Sequence, residues 1–446
     1  MKTAALTNSP KAAWFMGHLP EFGGNPLRFL EKCAREHGDF VPLRFVNKPV
    51  ILLNDPADIE CVLASNSRNF RKTMGYRTPF MRRLFGDGLL TSEGQFWQRQ
   101  RKLSQPAFHR ERIATYADVI VLFSERMMQG WTNGASRDIH RDMMRLTTEV
   151  VTKSLFNSEV PREIENLGEA SAAVMKYFTT QWTFWGLISA FLPAPGKKHF
   201  EEVMRQLDEF IYGLIRERRA SGADAGDLLS MLLLARDEDG SAMSDQQLRD
   251  ELTTLMVAGL DTTALALSWG FYLLSQNPTA MDRLAAEVKS VLGERRPGLS
   301  DLPQLRYTEM VVKETMRLYP PGWILGRECI SECTIGGHRI KVGTSLIMSQ
   351  WLKHRDERFF PEASRFLPER WEREAAKSLP KFAYFPFGGG PRICIGSSFA
   401  MMEAMLVLAS VSQRHRLIAP LNYEVIPEPS ITLQPRGGIH LQLCAS

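Results

Sequence analysis

The stretch that decides the fold is residues 387–396, FGGGPRICIG, which precedes a predicted helix over 397–411. Its glycines allow positive φ angles and let the backbone approach a flat ligand closely. A cysteine just before a helix N-terminus lies at the positive end of the helix dipole, beside free N–H donors, which lowers the pKa of its thiol. We therefore expect Cys394 to be a metal ligand. A structural cysteine beside a glycine-rich turn is the alternative.

A long apolar helix is predicted upstream of this loop, over residues 245–276. Ser244 is a suitable N-cap, and Asn277-Pro278 ends the apolar periodicity. At 1.5 Å per residue the helix would run for roughly 50 Å. A helix of that length and apolarity has to cross the core of a globular domain.

The remaining periodicity predicts a mainly helical fold with a minor β portion. We expect one domain over 1–446, with a β-rich N-terminal patch at about 38–55 and a helical bulk at about 56–320, because no repeat or long linker interrupts the chain. Gly336-Gly337 is a predicted turn between strands. The further predicted helices are 227–236, 278–292 and 303–319, and the predicted strands are 40–45, 50–54 and those within 334–348.

Composition narrows the class of protein. The chain has 446 residues, 44% hydrophobic and 24% charged, as in ordinary globular proteins. Its six cysteines follow no disulfide framework, so we expect reduced thiols and a cytoplasmic location. The first 21 residues never reach the ~20 apolar residues of a membrane helix, so we expect no membrane anchor. The net charge of +5 is mild and no RNA-binding motif occurs, so nucleic acid is not implied.

The spacing of five residues in the loop resembles a known family. Phe387, Gly390, Arg392, Cys394 and Gly396 reproduce the FxxGxRxCxG signature of the cytochrome P-450 family. The resemblance implies a triangular-prism-like domain that holds haem b (iron protoporphyrin IX) between the long central helix and the helix after the loop. It further implies that the Cys394 thiolate is the axial ligand of the iron and that O₂ is a cosubstrate.

Two other segments match family motifs and concern structure. Glu314 and Arg317 lie three residues apart, on one face of the predicted helix 303–319, and look like the ExxR pair. Arg370, in FLPER, looks like the arginine that completes a buried cluster through charge-assisted hydrogen bonds. Without the cysteine loop, an i,i+3 ion pair on a solvated helix face would be the preferred interpretation.

A second chemical site is predicted inside the long helix, at Ala258-Gly259-Leu260-Asp261-Thr262. Gly259 costs ~1 kcal/mol against alanine in a helix interior, and an acid among apolar residues is costlier unless it has a partner. The resemblance implies that this is the oxygen-binding groove, where the helix is locally distorted. It implies that Thr262 hydrogen-bonds bound oxygen or a nearby water and that Asp261 relays protons. A surface Asp-Thr pair is the alternative.

The two propionates of haem require cationic or hydrogen-bonding partners in an apolar cavity. Trp97 and Arg101 match the family's WxxxR, and Arg392 and Arg327 occupy two further positions. The full set of predicted haem contacts is Cys394, Trp97, Arg101, Arg327, Arg392, Phe387, Gly396, Gly259 and Ala258. An arginine taken singly would more often be a surface charge. Cys329, Cys333 and His338 suggest zinc only faintly, because their spacing is not of the CxxC type.

The resemblance implies a monooxygenase, because an axial thiolate pushes electron density toward the iron and favours O–O cleavage. No flavin or nicotinamide module follows the loop, so we expect a separate donor, a ferredoxin or flavodoxin with its NAD(P)H reductase, and a monomeric enzyme. Four basic residues near the propionate-binding helix would attract an acidic donor, with ordinary solvated charges as the alternative: Arg99, Lys102, Arg110 and Arg112.

The expected substrate is a lipophilic small molecule such as a fatty acid, terpenoid or steroid, because the family's substrate positions are apolar or aromatic here. The candidate contacts are Phe85, Leu255, Ala258, Trp323, Ile324, Leu325 and Thr432, from the stretches 80–90, 177–185, 255–258, 323–325 and 431–433. The PFGGGPRICIG loop and the TLQPRGG tail resemble the lipid-oxidising, eukaryote-like branch and favour fatty acids.

Two other functions are compatible with a haem-thiolate site. One is a peroxygenase or isomerase that rearranges peroxides and needs no external electrons, and the other is a non-catalytic haem sensor. Asp261 and Thr262 favour oxygenation, because such isomerases usually lack the acid-threonine pair.

Overall fold

The computed structural model describes residues 9–159, 197–372 and 377–445. Its α-helices are α1 (Leu19–Gly24), α2 (Pro26–His37), α3 (Pro56–Glu60), α4 (Pro79–Phe85), α5 (Gly94–Ser104), α6 (Arg110–Ala114), α7 (Ala117–Gln129), α8 (Ile139–Phe156), α9 (Lys197–Ser221), α10 (Leu228–Leu234), α11 (Asp245–Gln276), α12 (Pro278–Leu292), α13 (Arg306–Leu318), α14 (Gln350–Lys353) and α15 (Ser397–Ser412). The prediction of a mainly helical fold with a minor β portion is confirmed.

The strands are short and form separate small sheets. They are β1 (Phe40–Phe45), β2 (Lys48–Leu53), β3 (Phe70–Lys72), β4 (Ser136–Asp138), β5 (Leu325–Cys329), β6 (Cys333–Ile335), β7 (His338–Ile340), β8 (Ser345–Met348), β9 (His415–Ile418), β10 (Pro427–Pro429), β11 (Leu433–Pro435) and β12 (His440–Ala445). The largest sheet has the order β1-β2-β8-β5-β3, in which β2 and β8 are parallel. The predicted N-terminal β patch is therefore part of a sheet that also recruits strands from the C-terminal half.

The long central helix is confirmed. α11 has the predicted bounds, and Ser244 forms a capping box with Gln247, whose backbone N–H it accepts and whose side chain accepts the Ser244 N–H. α11 packs against α8, α13 and α15, and so it lies at the centre of the helical core. Among the described residues, α11 alone is long and apolar enough to cross a membrane, and 72% of its apolar window is buried inside the protein.

Two predicted helices differ from the structure at their ends. The prediction 303–319 is realised as α13, which begins at Arg306 because a 3-10 turn at Leu299–Asp301 and the turn after it occupy the preceding residues. The prediction 227–236 is realised as α10, with Asp227 as its N-cap and an extended Ala235 as its end. In both cases the helix is shorter because capping residues lie outside the helix that they terminate.

Candidate active site

The cysteine loop is a tight turn that the glycines make possible. Gly388 and Gly390 have φ angles of +71° and +65°, and a Cβ on Gly390 would lie 1.9 Å from the Leu63 carbonyl oxygen. The Cys394 N–H donates to the Phe387 carbonyl at 3.0 Å and closes the turn. Gly396 is then the N-cap of α15. The loop therefore places Cys394 two residues before the N-cap of α15.

The Cys394 thiol is surrounded by protein yet accessible, because its open side is an internal cavity. Burial raises the pKa of this thiol, while a hydrogen bond from the Gly396 N–H and the charge of Arg101 act in the opposite direction. The expectation of a lowered pKa is therefore wrong for the protein alone, since desolvation outweighs the helix terminus. A bound metal ion would itself supply the charge that ionises a thiol.

The cavity has a volume of about 340 Å³ and joins the cysteine loop to the central helix. From the loop and α15 come Phe387, Gly388, Arg392, Cys394, Gly396 and Phe399, and from α11 come Leu255, Ala258, Gly259, Thr262, Thr263 and Ala266. The cysteine loop and the groove segment of α11, which the sequence predicts as the two chemical sites, thus share one apolar cavity. Gly259 and Arg392 are 133 positions apart in the chain. Predicted haem contacts occur on both of its walls.

The groove segment of α11 is an uninterrupted helix, in contrast with the implied local distortion. The Thr262 Oγ1 donates to the Ala258 carbonyl at 2.7 Å, a back-bond within one turn of the helix. Gly259 also has a packing reason, because a Cβ there would lie 3.2 Å from Val151 on α8. Thr262 faces the cavity, where its hydroxyl can exchange this back-bond for a ligand.

Asp261 points away from the cavity into a polar pocket beside the antiparallel pair β10–β11. Its side chain is 3% exposed. The Gln434 Nε2 donates to Asp261 Oδ1 at 3.1 Å and to the Thr432 hydroxyl at 2.8 Å. Burial raises the pKa of Asp261, while the neighbouring Thr432 and Gln434 side chains and the charge of His140 oppose that shift. The acid is thus partnered, as an acid within a core helix has to be.

Two of the four predicted propionate partners line the cavity. Arg327, which is 8% exposed, donates to the neighbouring Gly326 carbonyl and forms no ion pair with a carboxylate of the described chain. Arg392 is ion-paired with Glu93 and lies over the Trp97 ring, 4.2 Å from its centroid. A buried guanidinium without an anion fits a cofactor that brings carboxylates of its own.

The other two lie behind the loop. Arg101 and Trp97 line an open surface cavity beside the cysteine loop instead of the one that contains Cys394. The Arg101 Nη1 donates to the Ile393 carbonyl at 2.9 Å, so its guanidinium is held by the loop backbone. Arg101 therefore contacts the cysteine loop, and Trp97 contacts Arg392, but neither lines the cavity itself. The cavity, the Cys394 thiol and the two arginines that line it fit haem.

The predicted substrate contacts divide into two groups. Leu255, Ala258 and Leu325 line the cavity. The other four do not. Phe85, the last residue of α4, is packed in the helical core, and Trp323 donates from Nε1 to the Ser430 carbonyl. Ile324 packs against the hydrophobic cluster that includes Phe29, and Thr432 accepts from Gln434. These side chains are turned away because each has a packing or hydrogen-bonding partner elsewhere. The stretch 177–185 lies outside the described residues.

The structural cluster forms around the fully buried Glu314 and Arg317, with Arg370 at its partly exposed edge. Glu314 accepts from Arg317 at 2.8 and 2.7 Å, from Arg370 at 3.0 Å and from the Trp371 indole at 2.9 Å. Arg317 also donates to the carbonyls of His354, Ala363 and Arg365. The cluster therefore joins α13 to the segment 354–371, which leads toward the cysteine loop.

The basic surface expected near α5 is largely neutralised. Arg99 pairs with Asp237 at 2.7 Å and Lys102 pairs with Glu238 at 2.5 Å. The side chain of Arg110 lies outside the described part. Partners 136 and 138 positions away could not be inferred from the local charge pattern.

Sequence reasoning missed three polar residues near the site. Glu403 on α15 is fully buried, and burial raises the pKa of its carboxyl to about 8, against the opposing effect of the neighbouring Thr263 side chain. His140 on α8 and Gln434 on β11 adjoin Asp261. An acid in the apolar run 399–411 was a usable signal for Glu403, but nothing local marks the other two.

Comparison with known proteins agrees with this site. The family model described as Cytochrome P450 matches residues 8–442. Cyclooctatin synthase from Streptomyces melanosporofaciens is 36% identical, over 96% of this chain and 93% of that protein. Pentalenene oxygenase from Streptomyces avermitilis is 30% identical, over 99% and 98%. The crystal structure of the cytochrome P450DA heme domain superposes with a TM-score of 0.87 at 26% identity and covers 98% of this chain and 97% of that one.

Fold and site together define a haem-thiolate protein. Since the family model spans nearly the whole chain, the chain belongs to the cytochrome P450 family. It is a monooxygenase that uses O₂ as cosubstrate, a lipophilic substrate and electrons from a redox partner. The family expectation drawn from the cysteine loop is confirmed.

Proposed function

We propose that this cytochrome P450 inserts one oxygen atom into a C–H bond of a cyclic, hydrocarbon-rich substrate of the terpenoid class. The observation that carries the proposal is the apolar cavity, which has Cys394 on one wall and Thr262 on another. Apolar walls favour a lipophilic ligand, and the few hydroxyls among them, including that of Thr262, give polar reference points. Oxygen transfer to a C=C bond of the same substrate class is included in the proposal.

The Cys394 thiolate would hold haem b in this cavity, and the bound haem would supply the oxygen-activating chemistry. Arg327 and Arg392 would hold its propionates. Trp97 stacks on Arg392, and Arg101 holds the loop at Ile393. Phe387, Gly396, Gly259 and Ala258 leave room for a flat ring, since all four line the cavity and three carry small or no side chains.

Thr262 and Asp261 provide the polar chemistry of the α11 wall. Thr262 donates or accepts at the cavity surface once its hydroxyl leaves the Ala258 carbonyl. Asp261, the adjacent residue, holds a proton more readily than an ordinary aspartate because burial raises its pKa. The pair places a proton store next to a hydroxyl that faces the substrate space.

The substrate class rests on cavity and relatives together. Cyclooctat-9-en-7-ol 5-monooxygenase, 34% identical over 92% of this chain, is named for an unsaturated alcohol, and pentalenene oxygenase is named for an alkene. Those names describe molecules with little polar surface, in keeping with walls such as Leu90, Val151 and Leu255. For this reason we propose a cyclic terpenoid as the substrate, in place of the fatty acid that the sequence favoured.

The electron donor that we propose is a ferredoxin or flavodoxin with its NAD(P)H reductase. Its docking face would be the open cavity lined by Arg101 and Lys102, beside the cysteine loop, where Arg101 donates to the Ile393 carbonyl. We further propose a monomeric, single-domain protein in the cytoplasm. One family model over residues 8–442 supports the single domain.

Absorption of the ferrous-CO complex tests the ligand assignment. A thiolate-ligated protein absorbs at about 450 nm, and Cys394→Ser should abolish that band while the control Cys444→Ser keeps it. A band at about 420 nm in freshly folded wild type would contradict the proposal.

Turnover assays test the rest. A difference-spectrum screen of cyclic terpenoids and fatty acids identifies compounds that displace water from the iron. Those compounds should be oxidised with reductase, donor and O₂. Turnover with hydrogen peroxide alone would favour the peroxygenase alternative, and ligand binding without any product would favour the sensor.

A further inference from the structure

The pocket behind Asp261 contains a second titratable side chain, His140, near the first residue of α8. His140 is partly exposed, whereas Asp261 is buried. Asp261 and Ser268 lie seven residues apart on α11, hence on one face of the helix, and both face this histidine. The pocket therefore connects a buried acid of the active-site helix with a side chain that reaches the protein surface.

The hydrogen bonds define the tautomer of His140. Ser268 Oγ donates its single proton to the Ala264 carbonyl at 2.5 Å. The contact of 3.2 Å between His140 Nδ1 and Ser268 Oγ must then have Nδ1–H as its donor. Nε2 is consequently the nitrogen that gains or loses a proton.

Gln434 on β11 holds the acid. Its Nε2 uses one hydrogen for Asp261 Oδ1 and the other for Thr432 Oγ1. The same amide opposes the fall in the pKa of His140. Asp261 Oδ2, in contrast, is buried without a hydrogen-bond partner among the described residues. One oxygen of the acid is fixed, and the other is left to carry a proton.

The charged groups that face His140 are Asp138, from the N-cap of its own helix, and Asp261 from α11. Burial lowers the pKa of His140, and both carboxylates oppose that shift. In turn the charge on His140 opposes the rise in the pKa of Asp261. Each group therefore changes the protonation of the other.

We propose that His140 and Gln434 are positioning residues for Asp261: Gln434 fixes its carboxylate, and His140 sets the charge that faces it from the solvent side. The proposal rests on the proposed role of Asp261 in proton delivery. It assigns to two residues from distant parts of the chain the control of the pH range in which that acid works. Neither residue belongs to the sequence motifs of the cavity.

Histidine NMR of the holoenzyme in its diamagnetic ferrous-CO form tests the pair directly. The His140→Gln spectrum identifies the His140 signal in protein labelled with ¹³C-histidine. Asp261→Asn should lower the titration midpoint of His140 by about one pH unit, because the favourable carboxylate charge is lost. Gln434→Leu should lower it as well, and the signal of the exposed His199 is the internal reference in both variants. An unchanged His140 midpoint in Asp261→Asn would overturn the proposal.

The pH profile of product formation is the second readout. Loss of the His140 charge raises the pKa of Asp261, so His140→Gln should move the acidic limb to higher pH, whereas His199→Gln should leave it in place. If the rate of product formation fell at every pH while the midpoint of the acidic limb stayed the same, the positioning role would be overturned. The NMR titration needs no substrate turnover. An intact NMR shift without any oxygenation would therefore overturn the proposed function alone.

Discussion

Glu314 receives the Nε and Nη2 protons of Arg317 at 2.8 and 2.7 Å, and both side chains are completely buried. Every donor nitrogen of this arginine has an acceptor, since three backbone carbonyls take its remaining protons. Removal of Arg317 leaves the buried Glu314 carboxylate with Arg370 as its remaining cation in the described chain and leaves three buried carbonyls without their donor. This pair therefore holds the segment before the cysteine loop against α13.

Arg317→Leu should consequently lower the free energy of unfolding by about 3–5 kcal/mol. The matched control is Lys313→Ala on the same helix, which breaks the Glu309–Lys313 pair, whose side chains are 43% and 33% exposed. That variant should cost less than about 1 kcal/mol. Urea denaturation of both variants measures the difference, and equal losses would contradict a special role for the buried pair.

Gly390→Ala should prevent the cysteine loop from forming. The added Cβ would lie 1.9 Å from the Leu63 carbonyl oxygen, on a residue whose φ is +65°. We expect a fall in bound haem to a small fraction of the wild-type content. Gly213→Ala, in the middle of α9 with open space around it, should leave haem binding intact and stabilise the helix by up to ~1 kcal/mol. Normal haem content in Gly390→Ala would show that the loop tolerates a side chain.

Much of this architecture could be predicted from the sequence because its signals are local. The ends of α11 follow from Ser244 and Asn277, and the loop glycines, Cys394 and α15 occur in one continuous segment. What could not be predicted depends on pairs of distant residues. Gln434 meets Asp261 across 173 positions, and Asp237 neutralises Arg99 across 138. Such contacts exist only after the helices pack, and the same packing turns Trp323 and Thr432 away from the cavity.

Arg327→Leu should weaken haem retention. This guanidinium is buried at the cavity wall without a carboxylate partner in the described chain, so we expect it to bind a propionate. The loss of a charge-assisted hydrogen bond corresponds to roughly tenfold faster transfer of haem to an acceptor protein. Arg327→Lys should retain part of the affinity. The control is Arg339→Leu, which breaks an exposed ion pair with Glu332 and should leave the rate of haem transfer unchanged. If Arg327→Leu lost haem at the wild-type rate, the assignment of Arg327 to a propionate would be wrong.

Thr262→Ala should uncouple electron consumption from product formation. The hydroxyl of this residue is a polar group that α11 presents to the cavity. Its loss removes a hydrogen-bond partner for water or oxygen on the substrate side. We expect several-fold less product per electron, with peroxide released instead. Thr262→Ser keeps the hydroxyl and should retain most of the coupling. Equal coupling in the alanine variant and the wild type would remove Thr262 from its proposed role.

Glu403 predicts the pH dependence of stability. Burial raises the pKa of its carboxyl to about 8 in the folded protein, whereas an unfolded glutamate titrates near its ordinary value of ~4.3. The folded state binds this proton more tightly, so the stabilisation is fully present below the unfolded pKa and is lost as pH rises through about 8. Glu403→Gln stays neutral and should flatten the decline in unfolding free energy between about pH 5 and 8.5 by a few kcal/mol. Glu36→Gln, whose carboxylate is 44% exposed, is the control and should retain the wild-type slope. If urea denaturation gave Glu403→Gln that same slope, the carboxyl would have to be ionised in the folded core at neutral pH.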